Sequence, residues 1–201
     1  MQLPAFSPAA IRNSEPILGV LRRELPGSRT VFEIGSGTGQ HAVYFASAMP
    51  ELQWQTSDLA LHHDLIRKRL ADDGLANVLA PILVDMNDPP TLERRYGAVF
   101  SSNTLHIMSM DAVRNLVPFV AAILRTGGRF CYYGAFRRGG SYNTASNAAF
   151  DRSLRERDAR MGLRDLEAID RMAADAGLSR RRLYAMPANN LLVSWVKRSA
   201  T

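Results

Sequence analysis

Cysteine occurs once in the 201 residues, at Cys131. A single thiol excludes an intramolecular disulfide and a cysteine zinc site, and it fits a reducing cytoplasm. Lysine is nearly as scarce, at Lys68 and Lys197 alone, so the formal net charge of +6 is almost entirely arginine. No uninterrupted apolar run approaches the roughly 20 residues a membrane helix needs. The opening, MQLPAFSPAAIRNSEP, has no basic segment leading into an apolar core, so no secretory signal and a cytoplasmic location are expected. Phosphate-loop and nucleophile-elbow patterns are absent, which removes NTPases and serine hydrolases. Asp72, Asp73, Asp85 and Asp88 make no metal signature, and adjacent His62 and His63 point in different directions on a helix, so no metal is expected.

What remains is an ordinary globular composition, 46% hydrophobic and 22% charged, of a length that suits one α/β domain over 1–201. Residues 1–28 read as an N-terminal helical segment placed to act as a lid. The arginine excess invites a nucleic-acid reading. Against it, Arg152, Arg155, Arg157, Arg160 and Arg164 alternate with Glu156, Asp158 and Asp165, the pattern of a solvated helix face laced with ion pairs. Only Arg180, Arg181 and Arg182 form a basic block.

Periodicity places a helix over 17–25, from Ile17, Leu18, Leu21 and Leu25, and a buried strand over 29–34 that delivers a glycine loop. After a helix from Gly39, strands are expected over 52–57, 78–84, 97–102 and 129–134, with helices over 61–73 and 111–124 between them. Pro118 inside the last of these implies a kink or a restart. A polar loop over 135–147 leads to helices over 148–160 and 166–176, and the chain closes with strands over 179–185 and 191–197. Alternation of strand and helix implies a mostly parallel, seven-stranded Rossmann-like sheet covered on both faces. The two final strands, with no helix between them, imply an antiparallel hairpin.

Ligands of such sheets lie beyond the carboxyl ends of the strands, at the topological switch point. There the first strand carries Glu33-x-Gly35-Ser36-Gly37-Thr38-Gly39-Gln40-His41. The missing Cβ atoms let a ligand lie against the backbone, and the N–H groups opening the next helix, near Gln40 and His41, suit a carboxylate. Asp58 ends the second strand about 20 positions on, the spacing at which an acid accepts from ribose hydroxyls; a helix N-cap is the alternative. Asp85 and Met86 end the third strand, where turn chemistry competes with ligand binding. The fourth ends in Ser101-Ser102-Asn103-Thr104-Leu105-His106-Ile107, and an imidazole at His106 has the pKa range of a general base, with a structural histidine as the alternative.

The third glycine follows the second by two residues, unlike a dinucleotide fingerprint. This spacing, with the closing hairpin, resembles the class I S-adenosylmethionine (SAM)-dependent methyltransferases. The runs EPIL from Glu15, GSGTGQH from Gly35, NTLHI from Asn103, SNAAFD from Ser146, GLRD from Gly162 and MPANN from Met186 further resemble a small uncharacterised "methyltransferase-like" family of single-domain proteins. The resemblance implies SAM as cofactor and S-adenosylhomocysteine as product. The site it implies contains Glu33, Gly35, Ser36, Gly37, Gly39, Gln40, His41, Asp58, Leu59, Asp85, Met86, Ser102 and Asn103, with Glu33 near the cofactor's ammonium and Asp85-Met86 bracketing adenine. Asn13, Glu15, Tyr133, Asn143, Asn147 and Asn189 lie in the family-specific stretches, where amides orient polar substrates or simply shape turns and caps. The expected activity is methyl transfer to oxygen or nitrogen of a small polar molecule by a monomer or homodimer that touches neither membrane nor, on balance, nucleic acid. A SAM-binding sensor or scaffold and an RNA methyltransferase are the alternatives.

Overall fold

A computed structural model describes residues 6–199. The elements run α1 (Pro8–Glu24), β1 (Thr30–Ile34), α2 (Gln40–Ala48), β2 (Gln53–Asp58), α3 (His63–Asp73), β3 (Val78–Leu83), β4 (Tyr96–Ser102), α4 (Met110–Ile123) and β5 (Leu124–Gly134). There follow β6 (Phe136–Arg138), β7 (Ser141–Tyr142), α5 (Ala145–Arg157), β8 (Arg164–Asp165), α6 (Leu166–Asp175), β9 (Leu178–Met186) and β10 (Asn190–Lys197). The main sheet has the order β3-β2-β1-β4-β5-β10-β9, with β10 antiparallel to both of its neighbours. The chain crosses from β1 outward to β2 and later returns to pair β4 on the other side of β1, which puts the switch point between β1 and β4.

Two apolar layers hold the sheet. On one face Phe45, Trp54 and Phe100 meet with ring centroids 5.5–6.0 Å apart, backed by Ile17 and Leu21 of α1. On the other, Val113, Leu116, Val117 and Val120 of α4 pack with Ile169 of α6 against Phe32, Val99 and Phe130. At the centre of the sheet Val31, Phe32 and Ile34 of β1 and Ala98, Val99 and Phe100 of β4 are all buried because both faces are covered. Among the described residues no helix is long and apolar enough to cross a membrane.

Several boundaries depart from the periodicity. The first helix begins at Pro8, where Ser7 caps it by accepting from Ala10 N (3.3 Å) and Pro8 takes a position that needs no N–H. Pro16 inside it costs one hydrogen bond that packing of the apolar face outweighs. Residues 1–5 of the expected lid lie outside the described residues. Helix α4 runs through Pro118. The loop expected over 135–147 instead contains β6 and β7, which join β8 in a second sheet of order β7-β6-β8. Gly139 (φ 55°) and Gly140 (φ 75°) form a two-residue turn with both residues left-handed, the geometry that matches strand twist and needs glycine.

Candidate functional site

Beyond the carboxyl ends of β1 to β4 lies a cavity of about 620 Å³. Its floor is the glycine loop. Gly35 (φ 73°) and Gly37 (φ 59°) are both left-handed, and a Cβ on Gly35 would stand 2.6 Å from Thr104 Cγ2, so the loop is pressed against the turn after β4. Gly35 N and Ser36 N donate to Ser57 O (3.0 and 2.9 Å), and Gly37 N donates to Asp58 Oδ2 (2.6 Å). The second carboxylate oxygen of Asp58 accepts from Leu59 N and His62 Nδ1, both at 2.7 Å. Asp58 thus joins the end of β2 to the loop after β1 while still facing the cavity.

The cavity wall brings together Gly35, Ser36, Gly37, His41, Asp58, Leu59, Asp85, Met86, Ser102 and Asn103 of the expected cofactor set. Asn103 holds a left-handed backbone (φ 59°), uncommon for a residue with a side chain, and its N–H donates to Tyr133 O (2.8 Å). His41 donates from Nε2 to Asn13 Oδ1 (2.7 Å) and stacks on Phe45. Burial lowers its pKa to about 4, so it is uncharged at neutral pH.

Glu33, Gly39 and Gln40 stand behind the wall. Glu33 is 2% exposed, and its Oε2 accepts from Ser36 Oγ (2.9 Å) and Trp54 Nε1 (3.0 Å). Its Oε2 is thus held by protein donors that shape the loop from beneath, and Glu33 is not part of the cavity wall. Gly39 (φ 73°) caps α2 and lies against Arg69. Gln40 Oε1 accepts from Ser7 N (2.5 Å) and Thr38 Oγ1 (2.9 Å), fastening the start of α1 to the loop.

Burial raises the Glu33 pKa from 4.5 to about 7, the two hydrogen bonds opposing the shift. Between those values the folded chain keeps a proton that the unfolded chain has released, so stability falls as pH rises through pH 4.5–7 and is level above it. Glu33→Gln keeps an oxygen for both donors and carries no charge. It is expected to flatten that part of the stability profile and to exceed the wild type by about 1–3 kcal/mol at pH 8, read by urea unfolding. An unchanged pH profile would contradict this.

The expected base stands apart from the cavity wall. His106 is 5% exposed, lies edge-on to Phe150 at 5.1 Å and is absent from the cavity wall, where Thr104 and Ile107 appear on either side of it. Its Nδ1 is buried without a partner, and burial together with Arg164 and Arg157 lowers its pKa to about 4. The substrate candidates divide. Asn13 reaches the wall through His41, Glu15 is exposed on α1, and Tyr133 is 3% exposed in the apolar layer under α1. Asn143, Asn147 and Asn189 bond one another around the start of α5: Asn147 Nδ2 donates to Asn143 Oδ1 (2.6 Å) and to Asn189 O (3.3 Å). They tie α5 to the β9–β10 turn, outside the cavity wall.

Residues 7–10, within the segment expected as a lid, also line the wall, and residues unforeseen in the sequence complete it: His62 stands beside Asp58, and Ile107, Met108, Asp158, Arg160 and Met161 form a further arm. Of the arginines read as a solvated face, Arg152, Arg155, Arg157 and Arg160 are exposed and Arg164 is not. Arg164 is 9% exposed, with Nε donating to Leu105 O (2.9 Å) and Nη2 to Met108 O and to Arg160 O (3.0 Å). Arg155 pairs with Asp151, whose side chain is 2% exposed (2.7 Å). Spacing along a helix gives no sign of the Arg164 contacts, because the helix ends at Arg157 and the chain turns inward.

Solved structures share this architecture. An O-methyltransferase family protein from Burkholderia thailandensis superposes with a TM-score of 0.83 at 20% identity, covering 96% of this chain and 58% of its own. An O-methyltransferase family 2 protein from Planctomyces limnophilus, solved with apigenin, gives 0.81 at 18% identity, covering 94% of this chain and 58% of its own. Human N-acetylserotonin methyltransferase, solved with SAM, gives 0.78 at 12%, with 95% and 53% covered. The chain therefore spans a little over half the length of these proteins, and the likeness is one of fold, that of the class I SAM-dependent methyltransferases. By sequence, residues 4–197 match the family described as "Protein of unknown function (DUF938)", and the chain belongs to that family.

Proposed function

We propose that the chain is a SAM-dependent methyltransferase acting on oxygen or nitrogen of a small polar molecule. The observation that carries this reading is the Gly37 N to Asp58 Oδ2 bond at 2.6 Å, which sets a glycine loop and an acidic strand end on one cavity wall. The residues present fit the cofactor. Gly35, Ser36 and Gly37 line the cavity, where a chain would lie along the loop, and the first N–H groups of α2 beside His41 suit a carboxylate. Asp58 would hold ribose hydroxyls, and Asp85 with Met86 would bracket the adenine. When bound, SAM supplies an electrophilic methyl group on a sulfonium.

The protein's share is alignment and exclusion of water, the main requirements of an in-line displacement. Residues 7–10 of α1 close the cavity from above, held by the Ser7 N to Gln40 Oε1 bond. Ser102 and Asn103 line the cavity at the end of β4, and Asn103 holds a left-handed backbone there. No base is assigned. The withdrawal of His106 from the wall favours a second reading, binding without transfer. An RNA acceptor draws less support, since Arg155 and Arg164 are committed to internal partners and Arg181 and Arg182 face the buried Glu24 at 3.5 and 3.8 Å.

Incubation with methyl-labelled SAM and a broad panel of hydroxy and amino metabolites, read by mass spectrometry, separates the two. Label in a small product is expected. S-adenosylhomocysteine binding with no label transferred to any panel member would favour the sensor.

A further inference from the structure

The arm of the cavity farthest in sequence from the glycine loop is built by the turn after β4 and the loop after α5, and it holds an ion pair that cofactor binding does not use. Asp158 Oδ1 accepts from Arg160 N (2.9 Å) and Nε (3.1 Å), and Oδ2 from Nε (3.2 Å) and Nη2 (2.7 Å). The carboxylate is occupied on the side facing its partner. The guanidinium is not: both hydrogens of Nη1 and one of Nη2 have no partner, and these form the planar end of the fork that matches a second carboxylate. The Arg160 side chain is 76% exposed, so this end is open to an incoming group.

The pair sits on a fixed mount. Arg164 spans the carbonyls of Leu105, Met108 and Arg160, locking the loop that carries Arg160 to the turn that leaves β4. Gly162 N donates to His106 O (2.9 Å) and reinforces the same junction. Ser109 Oγ caps α4 by accepting from Ala112 N, which leaves its O–H as a further donor at this wall. Arg157 and Arg164 add positive potential on this side of His106. Ile107, Met108 and Met161 give the arm an apolar surface beneath these donors. The open hydrogen-bonding capacity of the Asp158–Arg160 pair is donor-only, and Asp58 and Asp85 stand on the same cavity wall at the strand ends.

We propose that this arm is the acceptor subsite and that it selects small molecules bearing a carboxylate, which the free end of Arg160 takes in a bidentate pair while the hydroxyl or amine to be methylated points toward Asn103. This rests on the methyltransferase reading. Asp158 fixes the guanidinium and repels a second mode of approach along Nε, so a carboxylate enters end-on. A cationic acceptor meets no open oxygen on the pair.

The test uses the wild-type protein, Arg160→Gln and Arg160→Lys, each saturated with S-adenosylhomocysteine. The probes are hydroxy- and aminobenzoates and ω-hydroxy- and ω-aminoalkanoates, each paired with its primary amide. Wild type is expected to bind at least one acid about 10- to 100-fold more tightly than its amide, the range for a hydrogen-bonded charge. Arg160→Gln is expected to abolish the preference and Arg160→Lys to restore part of it, with S-adenosylhomocysteine affinity unchanged in both. Equal binding of acids and amides throughout the panel, or a preference that survives in Arg160→Gln, overturns the proposal. Failure of the wild type to bind S-adenosylhomocysteine overturns the underlying reading and is scored before any probe is added.

Discussion

Replacing Asp58 with alanine is expected to lower affinity for S-adenosylhomocysteine by about a hundredfold, the worth of removing a charged acceptor and orphaning its buried donors. Two losses combine. The cavity loses the carboxylate proposed to accept from ribose hydroxyls, and Gly37 N, Leu59 N and His62 Nδ1 lose their common partner, so the left-handed turn at Gly37 is no longer fastened to β2. Asp58→Asn separates these contributions, since its amide oxygen still accepts from Gly37 N while the negative charge is gone. It is expected to fall between wild type and alanine. Calorimetric titration of the three proteins measures the effect. An alanine variant that binds within roughly threefold of wild type would show that Asp58 serves only the turn, because a lost charged hydrogen bond costs more than that.

Arg164→Met is expected to destabilise the fold by about 3 kcal/mol, since three carbonyls lose a charged donor in a largely buried place. Desolvation already lowers the pKa of this guanidinium, a sign that its surroundings favour it only through the hydrogen bonds it makes. For a chain of this size the loss corresponds to a melting point about 6–12 °C lower. Arg164→Lys keeps a charge but cannot span Leu105 O, Met108 O and Arg160 O from one planar group, and it should recover only a minor part. Cofactor affinity is expected to stay within about threefold of wild type in both, because the glycine loop and Asp58 are held by other bonds. Urea unfolding checks the first statement and calorimetry the second. A change below about 0.5 kcal/mol would mean that the three carbonyls find water or other donors instead.

The contrast between these two residues explains what the sequence could reveal. The place of Asp58 on the cavity wall was legible because it depends on local order: an acid at a strand end and a glycine loop a fixed distance upstream, a pattern set by the geometry of adjacent strand-loop-helix units. The final hairpin was legible for the same reason, two β-rich runs with a turn between them. Arg164 and Arg160 were not. Their spacing with Glu156 and Asp158 copies a solvated helix, and only the end of α5 at Arg157 and the inward turn through Gly162 (φ 141°) carry them to the site. His106 follows a strand end, as a catalytic base often does, but the direction of its ring is set by Phe150 from an element more than 40 positions later. Glu33 shows the reverse case. An acid in a buried strand signals a partner, and the partners proved to be Ser36 and Trp54, the second of which no local pattern connects to it. The strands β6 to β8 escaped notice because each is too short to show alternation.

The cofactor cavity is the claim on which the function depends, and titration of S-adenosylhomocysteine into the folded wild-type protein, alongside NAD, tests it most directly. Saturable binding of S-adenosylhomocysteine at one site per chain, with no heat from NAD, is the predicted result. A folded sample that binds no S-adenosylhomocysteine, or that prefers NAD, would contradict the assignment of the Gly35–Asp58 wall to SAM.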